Sequence, residues 1–181
     1  MVSSKKNAKA VAVKQTDFLE KLFRDAAEET PVESLPEPVP EDAFEILVFH
    51  LSAERYGIPI EHVKEIIRFS EPTEVPHTVN FLDGIISLRG EMIPLINGRK
   101  RLGHDPKEPD KRSRIVVLQE GPHHYGILVD AAAQVITLLR GKIEPPPAVL
   151  IGIDAEFIQG VCEYKGQLII LLNLRRFLEF V

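Results

Sequence analysis

The chain has 181 residues, 44% of them hydrophobic, with 22 Lys and Arg against 27 Asp and Glu and no Trp. That length suits one core, or two small cores packed together, and the ordinary hydrophobic and charged fractions exclude a mostly disordered protein. No apolar run nears the roughly 20 residues of a membrane helix, the N-terminus lacks a secretory pattern, and one cysteine, Cys162, excludes internal disulfides and multi-Cys zinc clusters. The expected location is the cytoplasm, without direct insertion in a membrane.

Charge is unevenly spread. Residues 1–14 carry four Lys and no acid, residues 15–42 carry two basic and nine acidic residues, and residues 43–181 are close to neutral. The first 42 residues read as a tail. Phe18, Leu19, Leu22, Phe23 and Ala26 recur at helical spacing after a capping-box-like Asp17 and Glu20, and Pro31, Pro36, Pro38 and Pro40 then mark an extended acidic linker. A helix this short is marginal alone, so the tail is read as helical or disordered.

From residue 43 the pattern is β. Residues 44–49 and 56–60 flank a polar turn, and Val63, Glu65, Ile67 and Phe69 alternate with Lys64, Ile66 and Arg68. Ile85-Ile86-Ser87-Leu88 and Met92-Ile93-Pro94-Leu95-Ile96 flank Arg89-Gly90, a tight-turn signal. Pro94, having no N–H, predicts an edge or bulged strand. Residues 99–102 read as one helical turn stopped by Gly103.

The β pattern repeats. A shift of 69 brings Ile46 onto Ile115 and Tyr56-Gly57-Ile58 onto Tyr125-Gly126-Ile127, and a shift of 76 brings residues 81–102 onto 157–178 with 8 of 22 identities. Arg89 becomes Lys165, Gly90 becomes Gly166 and Lys100 becomes Arg176, so turns and charges are kept. The difference between the shifts places an insertion around residues 141–154, with Pro145-Pro146-Pro147. Two repeats of five short strands are too few for a solenoid and predict two small barrels related by a pseudo-twofold. The expected division is residues 1–42 as tail and 43–181 as folded domain, with subdomains at about 44–110 and 111–180.

Catalytic patterns are missing. Six histidines show no metal-ligand spacing, His123-His124 reads as an exposed turn pair, the serines lack an activating context and the carboxylates single out no acid–base pair. Cys162 reads as a packing residue in a strand. The chain is expected to be no enzyme and to need no cofactor or metal. Two basic clusters, residues 99–101 and 111–114, leave open a small β-barrel nucleic-acid binder, although no aromatics interleave with the charges.

Several strings stand in a fixed order: Phe44-x-Ile46-Leu47-Val48-Phe49, Tyr56-Gly57-Ile58-Pro59-Ile60 and Val63-Lys64-Glu65-Ile66-Ile67. They are followed by Phe81-Leu82-x-Gly84-Ile85-x-x-Leu88-Arg89-Gly90-x-x-Ile93-Pro94-Leu95 and then Tyr125-Gly126-Ile127-Leu128-Val129-Asp130. Through these strings residues 44–179 resemble the CheW-like domain. The resemblance implies a mostly β fold: two five-stranded SH3-like barrels packed on a shared core, with short helices. It also implies a non-enzymatic adaptor in bacterial chemosensory arrays at the inner membrane. The implied partners are the cytoplasmic tips of methyl-accepting chemoreceptors, the regulatory domain of a histidine kinase and other CheW-like domains, with no nucleic acid. An adaptor of the same kind in a pathway unrelated to motility is the variant of this reading. Ser87 and Asn97-Gly98 depart from the family's usual Asn and Asp-Leu, which bears on partner specificity.

The implied partner-binding residues are Val63, Glu65, Gly84, Ile85, Arg89 and Gly90. Strand alternation puts Glu65 on an apolar face with Val63, Ile67 and Phe69, where a carboxylate needs a partner. The resemblance offers Arg89. At the corresponding positions the second repeat has Gln134 and Lys165, so the pair is expected in the first repeat alone.

Overall fold

The computed structural model describes residues 40–146 and 155–179. The helical pattern at residues 17–26, most of the acidic linker and residues 147–154 lie outside the described residues. Among the described residues ten strands form: β1 (Ala43–Leu51), β2 (Glu54–Pro59), β3 (Val63–Arg68), β4 (Leu82–Leu88), β5 (Glu91–Asn97), β6 (Arg114–Glu120), β7 (His123–Val129), β8 (Ala131–Leu139), β9 (Ile158–Tyr164) and β10 (Gln167–Leu172). Two one-turn helices, α1 (Gly98–Arg101) and α2 (Leu174–Phe177), follow β5 and β10.

The strands make two five-stranded sheets, β8-β1-β2-β10-β9 and β3-β6-β7-β5-β4. The second order becomes the first when each strand is replaced by its counterpart in the other repeat, so the pseudo-twofold exists. The barrels nevertheless do not coincide with the repeats. Each sheet takes the opening hairpin of one repeat (β1-β2 or β6-β7) and three strands of the other. A cut near residue 110 therefore separates the repeats and leaves both sheets mixed. Two short parallel pairings join the contributions, Leu171 opposite Gly57 and Leu95 opposite Gly126.

Packing follows the same exchange. Ile46, Val48, Ile136, Leu138, Cys162, Ile169 and Leu171 fill the first barrel. Ile86, Ile93, Leu95, Ile115, Val117 and Leu128 fill the second, several at the repeat-equivalent positions. The alternate residues of β1, Leu47, Phe49 and Leu51, face a larger core shared between the barrels, together with Tyr56, Val116, Leu118, Ile127, Val129 and Phe177. Strands buried on both faces explain the unbroken apolar runs at residues 46–49 and 115–118.

The β4–β5 and β9–β10 hairpin tips are two-residue turns of the same type. Leu88 pairs with Glu91 and Tyr164 with Gln167, and φ is positive at Arg89 (53°), Gly90 (86°), Lys165 (50°) and Gly166 (75°). The helices are capped alike: the Asn97 side chain accepts from the Lys100 N–H and that of Asn173 from the Arg176 N–H. Asn97 thus has a local structural duty as a helix cap. Of the edge or bulge that the missing N–H of Pro94 predicts, the edge is not found, since the strand is internal, while the β4–β5 pairing does carry a bulge between Leu82 and Gly84. β5 runs between β4 and β7, but its pairing with β7 starts only at Leu95, so Pro94 interrupts no rung there.

Phe81 and Phe157, repeat equivalents, share one cation: the Arg101 guanidinium lies 4.0 Å and 4.6 Å from their ring centres. Arg101 also donates to the carbonyls of Arg176, Phe177 and Glu179 at the end of α2. Its own repeat equivalent is Phe177, fully buried and edge-on to Phe157. One repeat supplies a cation where the other supplies a ring, and the pair locks α1 to α2 across the shared core.

Candidate functional site

β3 emerges from a one-turn 3-10 segment at Ile60–His62, and its odd-numbered residues Val63, Glu65 and Ile67 are half-buried while Lys64, Ile66 and Arg68 are exposed. The alternation puts Glu65 on the face that leads into the second barrel, where Ile67, Phe69 and Leu88 line the rim of the core. Arg89 stands at the β4–β5 tip, and its Nη2 donates to Glu65 Oε2 at 2.9 Å. The Arg89 side chain is 77% exposed and that of Glu65 22%. The pair is therefore a surface device whose carboxylate end is half-sunk, and pairs of that exposure contribute about 1 kcal/mol or less to stability.

Of the six residues implied as a partner surface, the structure brings Glu65, Arg89 and Gly90 together, with Val63 at the other side of a β3–β6 bulge. Gly84 and Ile85 lie elsewhere, four to five residues down β4, roughly 15 Å along the strand at its usual rise. Gly84 is buried with φ at +141°, and a Cβ there would stand 2.3 Å from the Thr73 carbonyl oxygen. Its neighbour Ile85 exchanges backbone hydrogen bonds with Thr73 at 2.8 and 2.9 Å, which closes the second barrel. Gly160, the repeat equivalent, occupies the same place beneath Glu144, which bridges to Val161 and closes the first. The role of Gly84 is thus architectural, while Gly90 is open, with nothing within 4 Å of an added Cβ.

The second repeat lacks the ion pair. Gln134 occupies the Glu65 position opposite Val48 and is exposed, and Lys165 lies 5.3 Å over the Tyr164 ring. The two barrels share a frame, and this polar feature belongs to one of them.

Three polar clusters had no signal in the sequence. The Asp130 carboxylate accepts from Arg99 Nε at 2.8 Å, from Arg99 Nη2 at 2.6 Å and from the Ser52 N–H at 2.8 Å. Burial pushes the Asp130 carboxyl up, but the hydrogen bonds from Arg99 and Ser52 outweigh it and leave it below the ordinary range. Asp83 holds Lys100 at 2.7 Å and Asn97 at 2.8 Å. His124, expected in an exposed turn, is instead the half-buried second residue of β7 and is hydrogen-bonded to Glu91 and, at 3.0 Å, to Lys64. A pairwise cue for the first two existed only in three dimensions, since Arg99 and Asp130 sit 31 residues apart.

Arg99, Lys100 and Arg101 are therefore all engaged inside the fold, by Asp130, Asp83 and the α2 carbonyls, and do not form a free cationic strip for a phosphate backbone. Among the described residues no group of three or more His, Cys, Asp or Glu is placed to hold a metal ion. Cys162 is buried in the first barrel, and burial raises its thiol pKa. Among the described residues no helix is long and apolar enough to cross a membrane.

Two SH3-like barrels packed on a shared core, with a charged hairpin tip on the second, define the class of fold. The CheW-like domain family model matches residues 45–180, and the chain belongs to that family of non-enzymatic chemotaxis scaffolds. It is 32% identical over 146 residues to the chemotaxis protein CheW of Treponema pallidum (strain Nichols), covering 78% of this chain and 86% of that protein. It is 30% identical over 139 residues to protein FrzA of Myxococcus xanthus, covering 75% of this chain and 85% of the relative. The crystal structure of the scaffolding protein TtCheW from Thermoanaerobacter tengcongensis matches with a TM-score of 0.71 at 34% identity, over 84% of this chain and 95% of that one. The two-barrel fold expected from the repeat is the fold of this family.

Proposed function

We propose that the chain couples the cytoplasmic tips of chemoreceptors to the regulatory domain of a sensor histidine kinase, working in the cytoplasm at receptor arrays. The observation that carries this reading is the family match over residues 45–180, nearly the whole described domain. In this reading Val63, Glu65, Arg89 and Gly90 form a contact surface on the second barrel, and Gly84 and Ile85 serve it indirectly, by holding the Thr73 bridge that closes that barrel. Other CheW-like domains are further partners, met through the same kind of barrel surface.

The ion pair supplies the test. Arg89→Glu sets two carboxylates side by side at the hairpin tip, so pull-down of receptor tip fragments and of the kinase regulatory domain should fall about 5-fold, the equivalent of about 1 kcal/mol. Circular dichroism and melting should be nearly unchanged, because Arg89 is largely solvent-exposed. Adding Glu65→Arg to the same chain should restore part of the binding. A double variant no better than Arg89→Glu alone, in a folded protein, means that Glu65 and Arg89 do not act as a unit in partner binding.

A further inference from the structure

β3 ends on Arg68 and β6 begins on Arg114, and these two arginines are direct cross-strand partners. Side chains directly opposite in an antiparallel pair project from one face about 4.5–5.5 Å apart at Cβ, and like charges placed so destabilise the sheet. Arg68 is exposed, with no hydrogen-bond or ion-pair partner among the described residues. Arg114 is half-buried, and its Nη1 donates only to backbone, the carbonyls of Lys111 at 2.9 Å and Ser113 at 2.8 Å, so its charge has no counter-ion there. Exposed Lys111 and Arg112 add to the same positive field. Asp110, beside them, is held by Lys107 at 2.8 Å and stands 3.7 Å from Arg112. Ile66, two residues before Arg68 on the same face, is a large hydrophobic side chain left 40% exposed. A concavity of about 740 Å³ opens at this end of the sheet, between Arg68, Arg114 and Lys111.

We infer that this face is a docking surface for an acidic amphipathic helix of a partner protein. Carboxylates at i and i+4 of a helix stand about 5–6 Å apart at Cβ, which matches the spacing of two directly opposed arginines. Each guanidinium can then take one carboxylate through paired N–H donors, and Ile66 receives an apolar residue from the same helix face. The repulsion that costs the free protein stability becomes the recognition element of the complex. A single-stranded nucleic acid fits less well, because such grooves interleave cations with stacking rings. The one aromatic lining this concavity, Phe69, packs against the core of the second barrel. The inference stands apart from the Glu65–Arg89 surface, which faces the other way from β3, and does not rest on which pathway the scaffold serves.

The test uses the full chain and a fluorescein-labelled, alanine-based helical peptide with glutamates at i and i+4 and a leucine on the same face. Its anisotropy should report binding that weakens with salt, and an otherwise identical peptide with glutamines should bind at least about 10-fold more weakly. Arg68→Glu should reduce binding of the glutamate peptide by a similar factor while raising the melting temperature, since it replaces a cross-strand repulsion with an attraction. Should the reversal lower the melt instead, Arg68→Thr, a neutral residue suited to strands, decides the binding outcome. The inference is overturned if the two peptides bind alike or if the variant leaves peptide binding unchanged. It is also overturned if oligothymidylate or phosphatidylserine vesicles bind through these arginines more tightly than the peptide does.

Discussion

Substituting Gly84 with valine should cost the domain more than about 4 kcal/mol and bring its melt down by at least about 10 °C. Two effects add. The backbone at φ +141° is a region that β-branched residues do not enter without strain of about 1–3 kcal/mol. A Cβ would also stand 2.3 Å from the Thr73 carbonyl oxygen, a backbone atom that can retreat only by breaking the Thr73–Ile85 bridge. That bridge closes the second barrel between the chain after β3 and the start of β4. Gly90→Ala is the control, since its Cβ enters open space and only the φ of +86° opposes it, for about 1 kcal/mol. Hydrogen exchange provides the local readout: the Thr73 and Ile85 amides should lose protection in Gly84→Val while the first barrel keeps its own. A Gly84→Val protein that melts within about 2 °C of the wild type would show that the closure does not depend on this glycine. Loss of partner binding in any Gly84 variant therefore reports on barrel closure first and on a contact surface second.

The repeat was legible because both copies must solve the same packing problem. Gly84 and Gly160 must admit a crossing backbone, Gly90 and Gly166 must turn with positive φ, and Asn97 and Asn173 must cap a one-turn helix. Those requirements fix residue types, so they survive as identities at a constant offset. The exchange of strands between the halves was not legible. Alternation and turn chemistry specify which face of β1 is buried, and they are the same whether β1 pairs with β8 or with β3. What selects β8 is the three-dimensional fit of both faces at once, with Ile46 in one barrel and Leu47 in the shared core.

The candidate site divides in the same way. Glu65 could be picked out because a charge at an apolar position of an alternating strand demands a partner, and Arg89 stands at a turn whose geometry the Arg-Gly pair announces. Arg68 opposite Arg114 gave no such signal, since two arginines in separate segments look like ordinary surface until β3 and β6 are paired. Arg99, Lys100 and Arg101 misled in the opposite direction. As a run they resemble a basic patch, yet the helical turn sends each to a different internal acceptor.

Asp130 should be the polar residue whose loss the fold tolerates least. Its carboxylate is the counter-ion of Arg99 and the acceptor of the Ser52 N–H, at a turn where Ser52 itself has φ of 58°. The Arg99 and Asp130 side chains are 14% and 18% exposed, so screening by solvent is modest. Asp130→Ala leaves a largely buried guanidinium without its anion and an N–H without its acceptor, which should cost about 3 kcal/mol and lower the melt by about 10 °C. The near-isosteric Asp130→Asn should recover part of that loss and isolates the charge. Because the folded carboxyl titrates below its unfolded value of about 3.9, it contributes stability in full above that value, and the contribution is lost as pH falls through the folded pKa. The stability gap between wild type and Asp130→Asn, from urea melts at a series of pH values, should be flat from about pH 5 to 8 and close below about pH 4. A gap that stays constant down to pH 3 would mean that hydrogen-bond geometry alone, and not the carboxylate charge, is what Arg99 needs from Asp130.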